Sequence, residues 1–298
     1  CSKNIGASGL SDIVDDPSKH FQTAIWEGNG STQSITNDGY SDLQPDLAWV
    51  TRRDAAESRT FVNSSRGTGK YITSHNDAAE GSASNMITAF NSDGFSVGSS
   101  GSFNASGGDY VGWQWKMNGG TKTTVSESSP QRAGTYQANA TAGQSIIEFT
   151  GNNTDPATVA HGLGKKPHMI IMKRTEASNT DWRVWHHRLH EISDVKMMGG
   201  LNSGGAAFDG GEFHEDGQST THIKLTNSAN VNGSAAGTNG MYCLAFTSIE
   251  GYSKFDIFEG SDPSNYETNA NGTFVYCGFK PAFVMYKPID NTGSWLMF

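Results

Sequence analysis

Charge is scarce in this chain and is nowhere concentrated. Only 17% of the 298 residues are Asp, Glu, Lys or Arg, and the formal net charge of −9 is spread along the sequence without an acidic tail or a basic cluster. A protein that binds DNA or RNA needs a basic patch or stripe to neutralise phosphate groups. The sequence therefore argues against a nucleic-acid partner.

Cysteine and long apolar runs are also scarce. The three cysteines, Cys1, Cys243 and Cys277, are too few and too scattered for a disulfide framework or a CxxC metal site. We expect buried free thiols, with a Cys243–Cys277 pair left open in case their strands are neighbours. No apolar run approaches the roughly 18 residues of a membrane-spanning helix, and no signal peptide opens the chain. We therefore expect no insertion into a membrane.

Glycine and aromatic residues are plentiful instead. The chain has 36 Gly, 15 Phe, 9 Tyr and 7 Trp residues, a composition typical of short strands, many turns and small cores filled by large side chains. The segment YVGWQW alternates, which places Val111, Trp113 and Trp115 on one strand face that we expect to look into a core. The predicted fold class is all-β, built as antiparallel sandwiches.

One sequence unit begins three times. When Pro45, Pro167 and Pro281 are aligned, each is followed two residues later by an apolar run, LAWV, MIIM or FVMY. A short apolar run that ends in glycine precedes each proline: AIWEG at 24–28, IEFTG at 147–151 and DIFEG at 256–260. Recurrence of this kind indicates repeated structural units, so we predict tandem, jelly-roll-like β-sandwich repeats.

The repeats divide the chain into five predicted segments. These are a lead-in at 1–20, a first sandwich unit at 21–116, a linker or extended surface arm at 117–143, a second unit at 144–250, and the truncated start of a third unit at 251–298. The arm is inferred because 117–143 has almost no apolar residues. The third copy has no closing strand like YVGWQW, so we expect its open edge to be completed by residues beyond Phe298 or by another chain.

Several short motifs occur together along the chain. They are RGTGKYITS at 66–74, DGFSVG at 93–98, NASGG at 104–108, HGLG at 161–164 and FVYCGFKPAFV at 274–284. Their succession over residues 9–298 resembles a β-rich repeat domain of virion structural proteins from tailed bacteriophages that infect cyanobacteria and other marine bacteria. Such proteins often also contain concanavalin A-like lectin domains. The resemblance implies a tail-fibre-like or other surface appendage of the virion, assembled in the host bacterial cytoplasm, with no catalytic residues.

Exposed aromatic side chains are candidates for stacking on sugar rings. Most of the tryptophans lie in strand-like segments and are expected to face a core, and Trp182, Trp185 and His186 are the candidate glycan contacts. The alternative for this segment is a strand end in which both tryptophans pack inward and the histidines face solvent. Residues 199–223 depart from the repeat pattern, so a surface specialised for a ligand is also expected there.

The sequence gives weaker support to metal-binding and catalytic sites. His186 and His190 would share one face of a helix, as zinc ligands do, but the segment is not HExxH because Asp194 stands where the second His is needed. The loops 152–156 and 209–217 carry oxygens that suit calcium, without the EF-hand spacing. Alternating carboxylates suited to glycoside hydrolysis do not occur. We predict no enzyme and no required cofactor, with calcium left open.

We consider three functions. The first, which the resemblance implies, is a non-enzymatic bacteriophage virion structural protein, a homo-oligomer that contacts other virion proteins and serves as scaffold and host contact. The second is a carbohydrate-binding adhesin that recognises bacterial surface polysaccharide through loops carried on rigid sandwiches. The third is a surface lipoprotein acylated at Cys1.

Overall fold

The computed structural model describes residues 14–189, 199–214, 217–234, 239–260 and 272–298. Antiparallel β-ladders dominate these residues, and the predicted all-β sandwich class is confirmed. No helix among them is long and apolar enough to cross a membrane. Cys1, His190 and Asp194, on which sequence hypotheses depend, lie outside the described residues.

The first unit is built from a large and a small sheet. A 3-10 helix at Pro17–Lys19 precedes it. Its elements are β1 Phe21–Glu27, β2 Gln33–Ile35, β3 Leu47–Arg52, β4 Thr60–Asn63, β5 Lys70–Thr73, β6 Gly81–Ser82, β7 Ile87–Phe90, β8 Phe95–Val97, the helical turn α1 Gly101–Asn104 and β9 Asp109–Trp115. The large sheet has the order β1-β9-β3-β4-β5-β6, and the small sheet has the order β2-β8-β7.

The second unit is built in the same way. Its elements are β10 Thr123–Val125, β11 Gly134–Asn139, β12 Gln144–Thr150, β13 Ala157–Ala160, β14 Met169–Arg174, β15 Arg183–His186, β16 His222–Leu225, the helical turn α2 Ala229–Asn232 and β17 Gly240–Phe246. The large sheet has the order β10-β11-β12-β17-β14-β15, and β13 pairs with β16 in the small sheet.

Four neighbouring strands of the two large sheets share one order and one register. Strands β1, β9, β3 and β4 correspond to β12, β17, β14 and β15. Leu47 stands opposite Trp115 in the first unit, and Met169 stands opposite Phe246 in the second. The aligned prolines of the sequence precede β3 and β14, so the repeated motif marks the same strand in each unit.

Each small sheet covers one face of the large sheet of its own unit. Ile35 and Phe95 of the first small sheet are buried with Val50 of β3 in one apolar cluster. Val159 of the second small sheet is buried with Ile170 of β14 in another. Alternation along β3 and β14 turns the remaining apolar side chains to the opposite face. Each large sheet therefore has a second apolar face to bury.

Those second faces pack against each other. Trp49 and Trp113 of the first unit belong to one buried cluster with Ile171 and Leu244 of the second. Trp115 belongs to the same cluster, as expected for the tryptophan face of β9. The core that this face enters lies between the two units, which we call the central core. Burial of this many large side chains makes the pair of units one continuous body.

The predicted linker or extended surface arm at 117–143 is corrected by the structure. Strands β10 and β11 lie within it, and β11 pairs with β12 along its whole length. Tyr136 packs on the core of the second unit, and Gln137 is fully buried. Strand β10 is a short and largely exposed edge strand, and the buried Gln137 of β11 is held by hydrogen bonds to Ser64 and Ser65. Neither strand needs many apolar residues, which is why the segment looks like a linker in the sequence.

The third copy of the unit contributes a hairpin. Strand β18 Met285–Tyr286 pairs with β19 Leu296–Met297, and within the described part of 251–298 no separate sandwich forms. The two cysteines that were candidates for a disulfide are free, with Cys243 buried and Cys277 partly exposed.

Candidate functional site

The three predicted glycan contacts are buried, which corrects that expectation. Trp182 is fully buried, and its Nε1–H donates to the carbonyl of Thr73 at 2.9 Å. Trp185 packs against Phe213 with ring centroids 6.2 Å apart. His186 is 5% exposed, and burial lowers its pKa to about 3. Both tryptophans pack inward, as the alternative for this segment expects, whereas His186 does not face solvent.

The divergent stretch at 199–223 contacts the rest of the chain. Trp295 donates its Nε1–H to the carbonyl of Gly200 at 3.0 Å, and the amide of Gly293 donates to the carbonyl of Gly204 at 2.8 Å. These bonds hold the loop between β18 and β19 against the second unit. The departure from the repeat pattern in this stretch thus provides a docking place for the third hairpin.

The loops considered for calcium use their oxygens internally. The Asn152 side chain accepts the Thr154 hydroxyl at 2.7 Å, and the Glu212 carboxylate accepts from the Arg183 guanidinium at 3.0 Å. In the loop 209–217, Glu215 and Asp216 lie outside the described residues. In the part of the chain that the structure describes, no three His, Cys, Asp or Glu side chains form a group able to hold a metal ion. Calcium stays a prediction.

A buried asparagine anchors the glycine turn in each unit. Asn104, the last residue of α1, accepts the backbone N–H of Asn29 at 3.0 Å. Asn232, the last residue of α2, accepts the backbone N–H of Asn152 at 3.2 Å. Both asparagines are fully buried. Asn104 and Asn232 therefore make the same structural hydrogen bond in the two units.

The exit from the first unit is fixed by Asp46, a residue that sequence reasoning missed. Its buried carboxylate accepts the backbone N–H groups of Met117 at 2.7 Å, Gly119 at 2.8 Å and Gly120 at 2.7 Å, and the Ser64 hydroxyl at 2.6 Å. Charge-assisted bonds of this kind are about twice as strong as neutral ones. The available signal was its position directly after the first aligned proline.

An open cleft of about 580 Å³ lies beside this exit, where the lead-in helix, the end of β9 and the end of β11 meet. A cleft is the default place to look for a ligand. The side chains that line it are polar for the most part and include two lysines and one aspartate: Lys19, His20, Ser41, Asp42, Lys116, Met117, Asn118, Ala138, Asn139, Ala140 and Thr141.

Hydrogen bonds hold the floor of this cleft. Asn139 donates from Nδ2 to the carbonyl of Lys116 at 3.0 Å, and the same nitrogen lies 2.8 Å from Nδ1 of His20. Gln144 donates from Nε2 to the same carbonyl at 2.8 Å. Burial lowers the pKa of His20, which suits a neutral ring whose Nδ1 accepts. The floor is fixed, and the walls offer ammonium and hydroxyl groups to a hydroxyl-rich or acidic ligand.

Residues 16–298 match a family model described as Domain of unknown function (DUF7483). No curated protein and no solved structure matches the chain. Its function is therefore inferred from its own residues.

Proposed function

The chain belongs to the DUF7483 family, and we propose that it is a non-enzymatic structural protein of a bacteriophage virion, tail-fibre-like or another surface appendage. The observation that carries this proposal is the central core, in which the large sheets of two units bury their apolar faces against each other. A rigid body of joined sandwiches can bear load and display variable loops. Both properties suit a scaffold that also contacts a host.

Buried polar groups also join the units. Lys173 of the second unit donates from Nζ to the carbonyl of Asp77 in the first unit at 3.2 Å and to the carbonyl of Thr180 at 2.6 Å. Burial lowers the pKa of Lys173 to about 8. Arg66 lies 3.5 Å from Glu148 across the same boundary. In these contacts the ionisable side chains hold the two units together. Such a structural use of charged groups favours a scaffold over a reactive site.

In this role the protein is assembled in the host bacterial cytoplasm, self-associates as a homo-oligomer and contacts other virion proteins. Immunogold labelling of purified phage particles with antibodies against the folded chain tests the proposal. We expect gold at one fixed position on each particle, and a density map of the same particles should contain the central core. Labelling of a cellular filament, with none on particles, would overturn the proposal.

A second candidate, a carbohydrate-binding adhesin, is favoured by the cleft that Lys19 and Lys116 line. We expect an array of bacterial polysaccharides to show binding of acidic glycans that salt weakens. Lys116→Ala should abolish that binding, while Lys280→Ala, an exposed lysine outside the cleft lining, should leave it unchanged. If the folded protein binds no polysaccharide, only the structural role is left.

A further inference from the structure

Three histidines lie close together where β14 begins and β15 ends. Met169 stands opposite His186 in this ladder, so His168 and His187 are the next opposite pair, and the amide of His187 donates to the carbonyl of His168 at 2.9 Å. Opposite residues of a ladder project from the same face. The rings of His168 and His187 stack with centroids 4.2 Å apart, and the His186 ring lies 5.0 Å from that of His187.

The stacked pair holds the segment that follows β17, residues 248–256, which we call the clasp segment. Nδ1 of His168 accepts the backbone N–H of Ser248 at 3.0 Å and lies 2.9 Å from the Ser248 hydroxyl. That hydroxyl accepts the N–H of Phe255 at 3.0 Å, and Nε2 of His187 donates to the carbonyl of Phe255 at 3.0 Å. Both ends of the clasp segment are therefore bonded to the histidine pair, directly or through one hydroxyl.

The clasp segment covers one end of the central core. The Phe255 ring stacks on the Phe246 ring with centroids 5.8 Å apart and packs on the central core, and Phe246 is only 9% exposed. In the middle of the segment, the Tyr252 hydroxyl donates to Oε1 of Gln144 at 3.3 Å. Detachment of this segment would therefore expose Phe246 without separating any pair of strands.

These hydrogen bonds require one protonation state of His168. An imidazole nitrogen that accepts an N–H carries no proton itself, so Nδ1 of His168 is unprotonated while the clasp segment is bound. A proton on Nδ1 would set one N–H against the N–H of Ser248 and remove its acceptor. Burial lowers the pKa of His168, and the neighbouring His187 lowers it further. Proton binding at His168 and attachment of the clasp segment therefore oppose each other.

The surrounding charges do not offset a proton on His168. In the described part of the chain, the titratable and charged groups around it come from the turn before β14, the end of β15 and the clasp segment: Lys166, His186, His187, Arg188, Lys254 and Asp256. Asp256 is the one anion in this set, and it already pairs with Arg188 at 3.5 Å and with Lys254 at 3.6 Å. A charged His168 ring would therefore stand among cations and imidazoles.

We propose that the clasp segment is a pH-sensitive switch: protonation of His168 releases residues 248–256 from the ends of β14 and β15 and exposes Phe246, while both sandwiches stay folded. In the released state the His168 ring regains the ordinary pKa of about 6.5. Since the pKa is lower in the bound state, the released state binds the proton more tightly and gains population as the pH falls below 6.5. The segment after β9 is bonded to the Asp46 carboxylate instead, so the switch belongs to the second unit alone.

Amide hydrogen exchange of the intact chain at pH 7 and pH 5, corrected for intrinsic rates, tests this switch. We expect protection at Ser248 and Phe255 to fall by about tenfold or more at pH 5, because each pH unit between the two pKa values of His168 shifts release up to tenfold. The amides of Met117 and Gly119, which are bonded to a carboxylate in the first unit, should keep their protection.

His168→Gln removes the titrating ring and should abolish the pH dependence at Ser248 and Phe255, whatever their protection at pH 7. His186→Gln is the matched control in the same cluster, because Nδ1 of His186 accepts an amide outside the clasp segment. His75→Gln is the control in the first unit. Both controls should keep the pH dependence of the native chain. If His168→Gln does not fold, NMR titration of the native His168 ring should give a midpoint that coincides with the loss of protection.

Four results would overturn the proposal. They are unchanged protection of the clasp segment at pH 5, an equal loss at 117–120, a pH dependence that persists in His168→Gln, and a titration midpoint of His168 that differs from the loss of protection. The switch depends only on contacts within the chain, so its failure would leave the proposed virion role standing.

Discussion

In the first unit the residue after the aligned proline is Asp46, and in the second unit it is His168. The Asp46 carboxylate accepts three backbone N–H groups from the segment that leaves β9. The His168 ring accepts the backbone N–H of Ser248 at Nδ1, at 3.0 Å, and stacks on His187 with ring centroids 4.2 Å apart. The same position therefore fixes the exit from both units, once with a carboxylate and once with a histidine ring stacked on a second histidine.

The difference follows from the segments that leave the two units. Asp46 and His168 both accept a main-chain N–H across the ladder, from Ser64 at 2.8 Å and from His187 at 2.9 Å. After β9, the turn at 117–120 presents several N–H groups together, and such a concave array binds an anion. After β17, Ser248 presents one N–H and one hydroxyl, which a neutral ring satisfies. The two units therefore keep the same structural role at this position, although the residue type differs.

The largest expected effect on stability comes from replacing Trp182, a side chain with no counterpart in the first unit. Trp182 fills space between Phe61 of the first unit and Tyr242 of the second. The position that corresponds to it in the first unit, immediately before β4, holds the exposed Arg59. Trp182→Ala should lower the free energy of unfolding by about 4 kcal/mol because it leaves a large cavity. Urea denaturation measures this loss.

Arg59→Ala is the control for Trp182→Ala, and it should change stability by no more than about 0.5 kcal/mol. A Trp182→Ala protein that unfolds at the wild-type urea concentration would show that this ring does not join the units. Loss of glycan binding at unchanged stability would instead restore Trp182 as a sugar contact.

The next largest effect on stability distinguishes the segment that leaves the first unit from the segment that leaves the second. Asp46→Asn keeps the size of the side chain but replaces one accepting oxygen with a donor, which leaves at least one buried N–H without its partner. We expect a loss of about 3 kcal/mol, the range for bonds to a charged group. His168→Asn, at the equivalent position, should cost only about 1 kcal/mol because its bonds are neutral. Equal losses in urea denaturation would contradict a different chemistry at the two exits.

The sequence predicts the strands better than it predicts what covers them. The aligned prolines and the apolar runs locate β3 and β14 because a strand buried on both faces is apolar at every position. The same pattern does not say that the second face of each large sheet packs on the other unit. Strand β11 is not predicted from the sequence, since Gln137 is buried through hydrogen bonds to Ser64 and Ser65 rather than through apolar contact.

The candidate site was predicted less well for a related reason. Trp182 and Trp185 were singled out because aromatic rings bind sugars, but a ring that can stack on a sugar can equally fill a core. The cleft beside Lys116 is assembled from segments up to 122 positions apart in sequence, from Lys19 to Thr141. No local sequence motif indicates this cleft. Only the packing of the first unit on the second brings these side chains together.

A smaller effect tests the equivalence of the glycine turns. A Cβ atom at Gly28 would lie 2.0 Å from the carbonyl oxygen of Ala105, and one at Gly151 would lie 2.3 Å from that of Asn232. Gly28→Ala and Gly151→Ala should each cost about 2 kcal/mol because the backbone must shift. Gly69→Ala, where the new Cβ meets nothing within 4 Å, is the control. A large loss at only one of the two turns would show that the units are not equivalent there.

The last effect depends on pH and distinguishes the units again. His161, six residues before Pro167, accepts the Leu163 amide at Nδ1 at 3.1 Å, and burial lowers its pKa to about 4. The same position before Pro45 holds Gly39. Since the folded pKa lies below the unfolded value of 6.5, the unfolded state binds more protons between these values. Stability is therefore complete above pH 6.5 and falls on acidification, by about 1.4 kcal/mol per pH unit between about pH 6 and the folded pKa of about 4, below which this loss ends.

Hydrogen exchange at pH 7 and pH 5, corrected for intrinsic rates, measures where this loss falls. Amides of β13 and β16, which flank His161, should lose protection at pH 5, while those of β2 and β8 in the first unit should keep theirs, because local opening is cheapest where the proton binds. His161→Gln should reduce this difference between the small sheets, although His186, which is also buried and neutral, will retain part of the acid sensitivity. Equal loss of protection in both small sheets would mean that acid acts on the shared central core rather than on a site in the second unit.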